Sequence, residues 1–228
     1  MKHTRWTAAL LALALVLSLP FTAAAETFST EDFSLEIPEG MYTFTPSTPV
    51  DDPSWALAGV ADAQGKLEEY RDMGGVVEMV SEDGETSILL TQSTTEDSES
   101  IFNLEDLTEE ERAEFLDGLA QTKTDEIQLE KSYVEINGRL FYRIRFEGVY
   151  QEMGYNELLY GTIINGYSLN LDTYGNLEPV SQETEDLMVS IAGQTTHHSH
   201  GRIPGKSRRS TPQDTTQRPW YCGAAGWF

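Results

Sequence analysis

Arg139, Arg143 and Arg145 stand within seven residues of one another, with Phe141 between them. On an extended strand the odd-numbered side chains share one face, so all four project together. Guanidinium groups in a row bind carboxylates or phosphates bidentately, and an aromatic ring beside them offers a stacking surface. Arg139, Phe141, Arg143 and Arg145 are therefore candidates for holding an anion or a partner's carboxylate. The competing reading is pairing within the chain. Across a two-residue turn at Asn137-Gly138, position 130 faces position 145, which makes Glu130 a direct neighbour of Arg145. So many acids surround these arginines that at least one of them is expected to meet a carboxylate of this chain. Trp55, among Pro53, Ala56 and Leu57, is a further candidate anchor for a partner, although a loop indole packed over a sheet edge is the commoner case.

Other chemistry is restricted by what is missing. Residues 26–193 contain no His and no Cys. Ser-His-Asp and Cys-His sites need an imidazole base, and zinc prefers His and Cys ligands. A Ser-x-x-Lys dyad is absent, because Ala63, Ala120 and Gln128 stand three positions before Lys66, Lys123 and Lys131. Gly74-Gly75 follows a helical pattern instead of opening one, so it is no phosphate loop. What remains is carboxylate work: a glycosidase-like acid/base pair or an oxygen-ligand calcium site. Glu82-Asp83-Gly84-Glu85 lacks alternating Asp/Asn ligands and reads as a solvated hairpin turn. No catalytic residue, metal ligand or cofactor is expected.

The charge is uneven along the 228 residues, whose net value is -23. So acidic a chain disfavours nucleic acid as a partner. Residues 1–25 read as a signal peptide: Lys2, His3 and Arg5, an apolar run from Ala8 to Leu19, then Ala23-Ala24-Ala25, which places the mature start at Glu26 and sends the protein out of the cell. Residues 26–193, with 8 Lys/Arg against 37 Asp/Glu, form a single domain. Residues 194–228 switch to five Lys/Arg and one acid, with His197, His198, His200 and Cys222. They read as a disordered tail, or as a non-native one produced by a frameshift. A metal-binding role for the His tract ranks below both, since a short tract has no supporting shell.

Periodicity supplies the elements that must position these residues. Phe33, Leu35 and Ile37 alternate with Ser34 and Glu36 as a strand, and Met41–Phe44 continues extended. A helix runs from its cap Asp62 to Gly74. Strands 76–81 and 86–91 flank Asp83-Gly84, and an acidic loop covers Thr94 to Ser100. A second helix begins at the capping box Thr108/Glu111. Two hairpins follow at Asn137-Gly138 and Asn165-Gly166, with Gly154 as the turn between them. Leu140, Tyr142, Ile144 and Phe146 share a face, expected to continue into Leu158, Tyr160, Ile164, Tyr167, Leu169 and Leu171. A last helix starts at Ser181 and stops at Gly193. Hairpins instead of crossovers indicate α+β, an antiparallel β-sheet flanked by helices.

The segment Phe33-Ser-Leu-Glu-Ile-Pro-Glu-Gly, the hairpin Val134-Glu-Ile-Asn-Gly-Arg-Leu-Phe-Tyr and the closing Leu187-Met-Val-Ser-Ile resemble bacterial secreted proteins with a PsbP-like fold. The resemblance spans about residues 27–192 and implies an α/β/α sandwich around an antiparallel sheet. It also implies a non-catalytic role, and the function expected of this chain is a non-catalytic extracytoplasmic domain that binds a protein or cell-envelope component. It carries over no catalytic residues, and fold analogy does not fix function. Two alternatives stay open: a carboxylate-dependent hydrolase, and a structural module of a membrane-anchored protein that has lost its anchor.

Overall fold

The computed structural model describes residues 26–121, 126–150, 153–175 and 178–198. The signal-peptide reading and most of the basic tail lie outside these residues. Seven strands form one antiparallel sheet in the order β3-β4-β5-β9-β8-β7-β6. They are β3 (Met41–Phe44), β4 (Gly75–Ser81), β5 (Ser87–Ser93), β6 (Ile127–Ile136), β7 (Arg139–Tyr150), β8 (Met153–Ile164) and β9 (Tyr167–Gly175). A second sheet holds β1 (Glu26–Ser29), β2 (Phe33–Ile37) and β10 (Thr196–His197), with β2 in the centre. The helices are α1 (Pro53–Leu57), α2 (Ala63–Met73), α3 (Glu96–Ile101), α4 (Glu109–Leu119) and α5 (Gln182–Gln194), with a 3₁₀ turn at Leu104–Asp106. This is the α+β antiparallel architecture expected from the hairpin signals.

Local chemistry explains the boundaries. Asp62 accepts a hydrogen bond from the Gly65 amide at 2.9 Å and starts α2. Gly74 ends α2 at φ 71°, where a Cβ would lie 2.9 Å from the Gln92 carbonyl oxygen, so conformation and space both require glycine. Asn137-Gly138 and Asn165-Gly166 have φ of 49°, 79°, 53° and 86°, the left-handed pair that a two-residue hairpin needs.

The seven-stranded sheet is buried on both faces. One face carries Val77, Met79, Ile88, Leu90, Leu158, Tyr160 and Leu171 against β2 and against Met188 and Ile191 of α5. On the opposite face Tyr142, Ile144, Phe146, Leu159 and Ile163 meet Leu104 and Leu116. Also on that face, Val80 and Leu89 meet Trp55, Leu67 and Tyr70.

Four expectations are corrected here. Tyr150 pairs with Met153, so the turn falls before Gly154, which lies inside β8 opposite Val149. A one-residue change of register flips every side chain. Arg143 therefore stands opposite Tyr160 and Arg145 opposite Leu158, and the arginine face is the one that continues into Tyr160 and Leu171. The segment read as an acidic loop contains α3, started by a capping box in which Ser98 takes the place usual for Glu, with Glu96, Asp97 and Glu99 in its first turn. Trp55 belongs to α1, not to a loop, because Asp52 caps it and Pro53 opens it. Lastly, ordered structure passes Gly193: Thr196 and His197 pair with Ser34 and Phe33, and the His198 amide donates to the Asp32 carbonyl at 2.7 Å.

Candidate functional site

The arginine row lies beneath α5. The Ser181 hydroxyl accepts from the Thr184 amide and starts this helix, whose Glu185 points down onto the sheet. Arg143 Nε donates to Glu185 Oε1 at 2.7 Å, and Arg145 Nη2 to Glu185 Oε2 at 2.5 Å. The Tyr160 hydroxyl adds a third bond to Oε1 at 2.7 Å. Arg145 Nη1 also reaches Glu147 at 2.7 Å and the Val180 carbonyl at 3.3 Å. The side chains of Arg143, Arg145 and Glu185 are only 17%, 13% and 10% exposed. Burial alone would raise the Glu185 carboxyl, but its bonds to Arg143 and Tyr160 and the two guanidinium charges bring it down to about 2. Burial, then the hydrogen bond to Glu185 and its charge, pushes Tyr160 up to about 12.

Each candidate from the sequence can now be placed. Arg143 and Arg145 converge on one carboxylate of this chain, as the pairing reading expects. Glu130 pairs with Arg145 in register, yet its carboxylate approaches Arg143 instead, at 3.7 Å. Phe141 is buried in the core beside α5, not displayed as a stacking surface. Arg139 is half-buried at the start of β7 and forms no ion pair among the described residues. It is not part of the Glu185 cluster. Trp55 is 3% exposed, stacked on Phe44 with ring centroids 4.0 Å apart, and its indole donates to the Pro49 carbonyl at 2.8 Å. Its ring is not presented to a partner.

His197 and His198 are engaged within the fold. His197 Nδ1 lies 3.0 Å from the Tyr167 hydroxyl, and His198 Nδ1 2.9 Å from the Glu31 carbonyl. Burial, then the Arg139 charge, lowers His197 to about 4, so it is neutral at pH 7. At the Glu82–Glu85 turn, Asp83 accepts from the Ser81 hydroxyl at 2.6 Å and the Glu85 amide at 3.0 Å, a turn-stabilising arrangement.

Sequence reasoning passed over three other groups. Glu157 of β8 and Asp172 of β9 are 0% and 6% exposed on the sheet face opposite Glu185. The Tyr155 hydroxyl donates to Glu157 at 2.6 Å and the Tyr174 hydroxyl to Asp172 at 2.9 Å. Burial, then the Glu157 charge, pushes Asp172 well above the usual carboxylate range. Their one trace in the sequence, acids at inward positions of two adjacent strands, is masked by the abundance of acids. A second group gathers around Glu78, which accepts from Lys66 at 3.1 Å, Tyr70 at 2.5 Å and Ser87 at 2.5 Å, all under α2. This reads as a satisfied buried network that anchors α2.

The third feature is an opening. β6 ends the seven-stranded sheet, and among the described residues no strand pairs with its outer edge. Beside it a cleft of about 300 Å³ lies between β6 and α4, lined by Glu109, Arg112, Ala113, Leu116, Ser132 and Tyr133. The Tyr133 hydroxyl donates to the Arg112 carbonyl at 2.7 Å and joins the two elements. Burial pushes this phenol up to about 12 against the opposing Arg112 charge. Lys131 spans the same gap, with Nζ 2.7 Å from Asp117 and within 3.5 Å of the Leu116 and Ala120 carbonyls at the end of α4.

No family model matches the chain. No curated protein matches it either. Among solved structures it is similar to the cyanobacterial PsbP (CyanoP) of Synechocystis sp. PCC 6803, with a TM-score of 0.44 at 12% identity over 79% of this chain and 98% of that one. It is also similar to a protein of Bacteroides thetaiotaomicron VPI-5482, with a TM-score of 0.45 at 10% identity over 77% of this chain. The match spans about half of the Bacteroides chain, 49%. Among the described residues no helix is long and apolar enough to cross a membrane. The likeness to a PsbP structure, at low identity, agrees with the fold resemblance stated from the sequence.

Proposed function

We propose that the protein is a non-catalytic extracytoplasmic domain that binds a protein or cell-envelope component. One observation carries this reading: the open outer edge of β6, ten residues long, beside the cleft formed with α4. Backbone groups left unpaired at a sheet edge are ready to pair with another chain. The arginine row, in contrast, is largely consumed in holding α5. Export with a mature start at Glu26 belongs to the same proposal, and N-terminal sequencing of the product outside the cell tests it; retention of Met1 contradicts it.

A photoreactive residue placed at Ser132 of the full chain, in the producing cell, tests the docking edge. The control position is Glu183, exposed on α5. A discrete adduct from position 132 that is absent from position 183 is the expected result. Equal or absent labelling at both positions overturns the reading.

Carboxylate-dependent hydrolysis is the second reading, supported by the Glu157–Asp172 pair. Burial and the Glu157 charge raise one carboxyl of the pair, and two carboxyls of unequal acidity are what glycosidases use. If the full chain hydrolyses oligosaccharides and Asp172→Asn abolishes this, the second reading replaces the first.

A further inference from the structure

We propose that β6 accepts an extended, positively charged segment of a protein partner as an eighth strand of the sheet. This deepens the binding-domain reading above and rests on it. The two ends of the seven-stranded sheet differ greatly: β3 has 4 residues and β6 has 10. Long edges are commonly blunted by charged side chains, proline, a bulge or a covering element, and of these β6 carries charges, Glu130, Lys131 and Glu135. β6 contains no proline, and its pairing with β7 runs unbroken from Ile127↔Gly148 to Ile136↔Arg139. Lys131, the one cation of the strand, is turned onto the end of α4 and engaged by Asp117. The outer edge is therefore long and regular.

The cleft supplies what an added strand needs besides backbone bonds. In edge addition the main chain gives affinity, and pockets for alternate side chains give specificity. Ala113, Leu116 and the Tyr133 ring provide an apolar wall for one such side chain. Charge then selects the occupant. Glu109 lines the cleft, and Glu130 and Glu135 are exposed along β6. The nearby cations are already engaged, Lys131 by Asp117 and Arg112 Nη2 by the Glu105 carbonyl at 2.8 Å. Arg143 is engaged by Glu185 at 2.7 Å, with Glu130 only a distant second partner at 3.7 Å. Basic residues on the added strand meet these acids directly. A second copy of this chain is disfavoured, because it brings the same acids to the joint and a net charge of -23.

Hydrogen exchange on the full chain, read at the β6 amides, tests the proposal. The probes are three end-capped peptides in which valine alternates with lysine, threonine or glutamate. The lysine–valine peptide is expected to slow exchange of β6 amides at least about tenfold, with affinity falling as salt rises. The double variant Glu130→Lys/Glu135→Lys, at two exposed positions, is expected to weaken that binding about tenfold or more. Binding of the lysine peptide without protection of β6 is unspecific attraction to an acidic chain and overturns the proposal. Protection by the threonine peptide alone keeps β6 as a docking edge but overturns the basic partner. Protection by none of the three overturns both this inference and the docking edge beneath it. Protection of β6 before any peptide is added assigns the edge to a second copy, if the sedimenting mass doubles, or to this chain itself, and overturns the proposal in either case.

Discussion

Two buried carboxyl groups on opposite faces of one sheet behave in opposite ways. Glu185 lies under α5 and Asp172 lies on the far side, and both are less than 10% exposed. Burial pushes each acid toward its neutral form. Glu185 nevertheless falls to about 2, because Arg143, Tyr160 and Arg145 surround it with donors and positive charge. Asp172 rises instead, because burial and then the Glu157 charge outweigh the bonds from the Tyr174 hydroxyl and the Thr173 backbone. Burial sets the stakes, and the neighbours decide the sign. The Glu185 cluster fastens the closing helix to the sheet, whereas the Asp172 pair stores an unfavourable interaction.

The largest effect expected is from breaking the favourable side. Glu185→Ala leaves two guanidinium groups buried without their shared acceptor, and a loss of about 3–5 kcal/mol is expected in urea unfolding. A loss below about 1 kcal/mol would mean that the arginines find other partners and that the cluster does not hold α5. The pH dependence follows from the lowered pKa. Glu185 contributes stability above its unfolded value of 4.5, and that contribution disappears as pH falls toward about 2. Glu185→Gln should therefore remove much of the acid sensitivity in that window.

Asp172→Asn should act in the other direction. A raised carboxyl pKa gives stability that is complete below 3.8 and is lost as pH rises through the folded value. The amide keeps the shape and cannot ionise, so at pH 8 the variant should be more stable than the parent by about 2 kcal/mol. The difference should shrink toward pH 4. A variant less stable than the parent at pH 8 would show that the carboxylate is well satisfied where it lies and that the pair stores no unfavourable interaction.

A smaller effect separates the end of α5 from the strand after it. Truncation after Gly193 removes β10, while truncation after His198 keeps its pairing with β2 and the His197–Tyr167 contact. The shorter chain should be less stable by about 1–2 kcal/mol at pH 8. His197 is held neutral, with its pKa lowered from 6.5 to about 4. Its contribution is complete above 6.5 and is lost as pH falls to about 4, so the two truncations should converge there. A constant gap across that range would assign the effect to the Thr195 cap of α5 and the β10 backbone, not to His197.

Much of the fold was legible because its signals are local. Asp62, Gly74, Thr108 and the two Asn-Gly turns act within four residues of themselves, and each lies at the boundary it marked. What escaped depends on partners distant in sequence. Arg143 and Glu185 are 42 positions apart, and nothing in the arginine spacing says that a helix will descend on it. One pairing decided the face. If Tyr142 shared a face with Tyr160 the arginines would lie on the other side of the sheet, and in the observed register Arg143 stands opposite Tyr160 and lies under α5. The Asp172 pair was hidden by abundance, since among 37 acids in residues 26–193 a pair at inward positions has no distinguishing spacing. The β6 edge was equally silent, because strand order is a property of the whole sheet.

The smallest predicted effect is the sharpest test of why the neighbours matter. Arg143 touches two carboxylates, Glu185 Oε1 at 2.7 Å and Glu130 Oε2 at 3.7 Å. The Glu130 side chain is 70% exposed against 10% for Glu185. Water already screens the first contact, and a bond at that distance is weak. Glu130→Gln should therefore change stability by no more than about 0.5 kcal/mol, several-fold less than any change at Glu185. Combining it with Glu185→Gln measures coupling through the shared guanidinium. If the two carboxylates compete for Arg143, Glu130 becomes worth more once Glu185 is neutral, and the double variant loses more than the sum of the singles. If Glu130→Gln alone costs more than about 1 kcal/mol, exposure is not what separates the two acids, and the distinction between a fastening cluster and a surface pair fails at this residue.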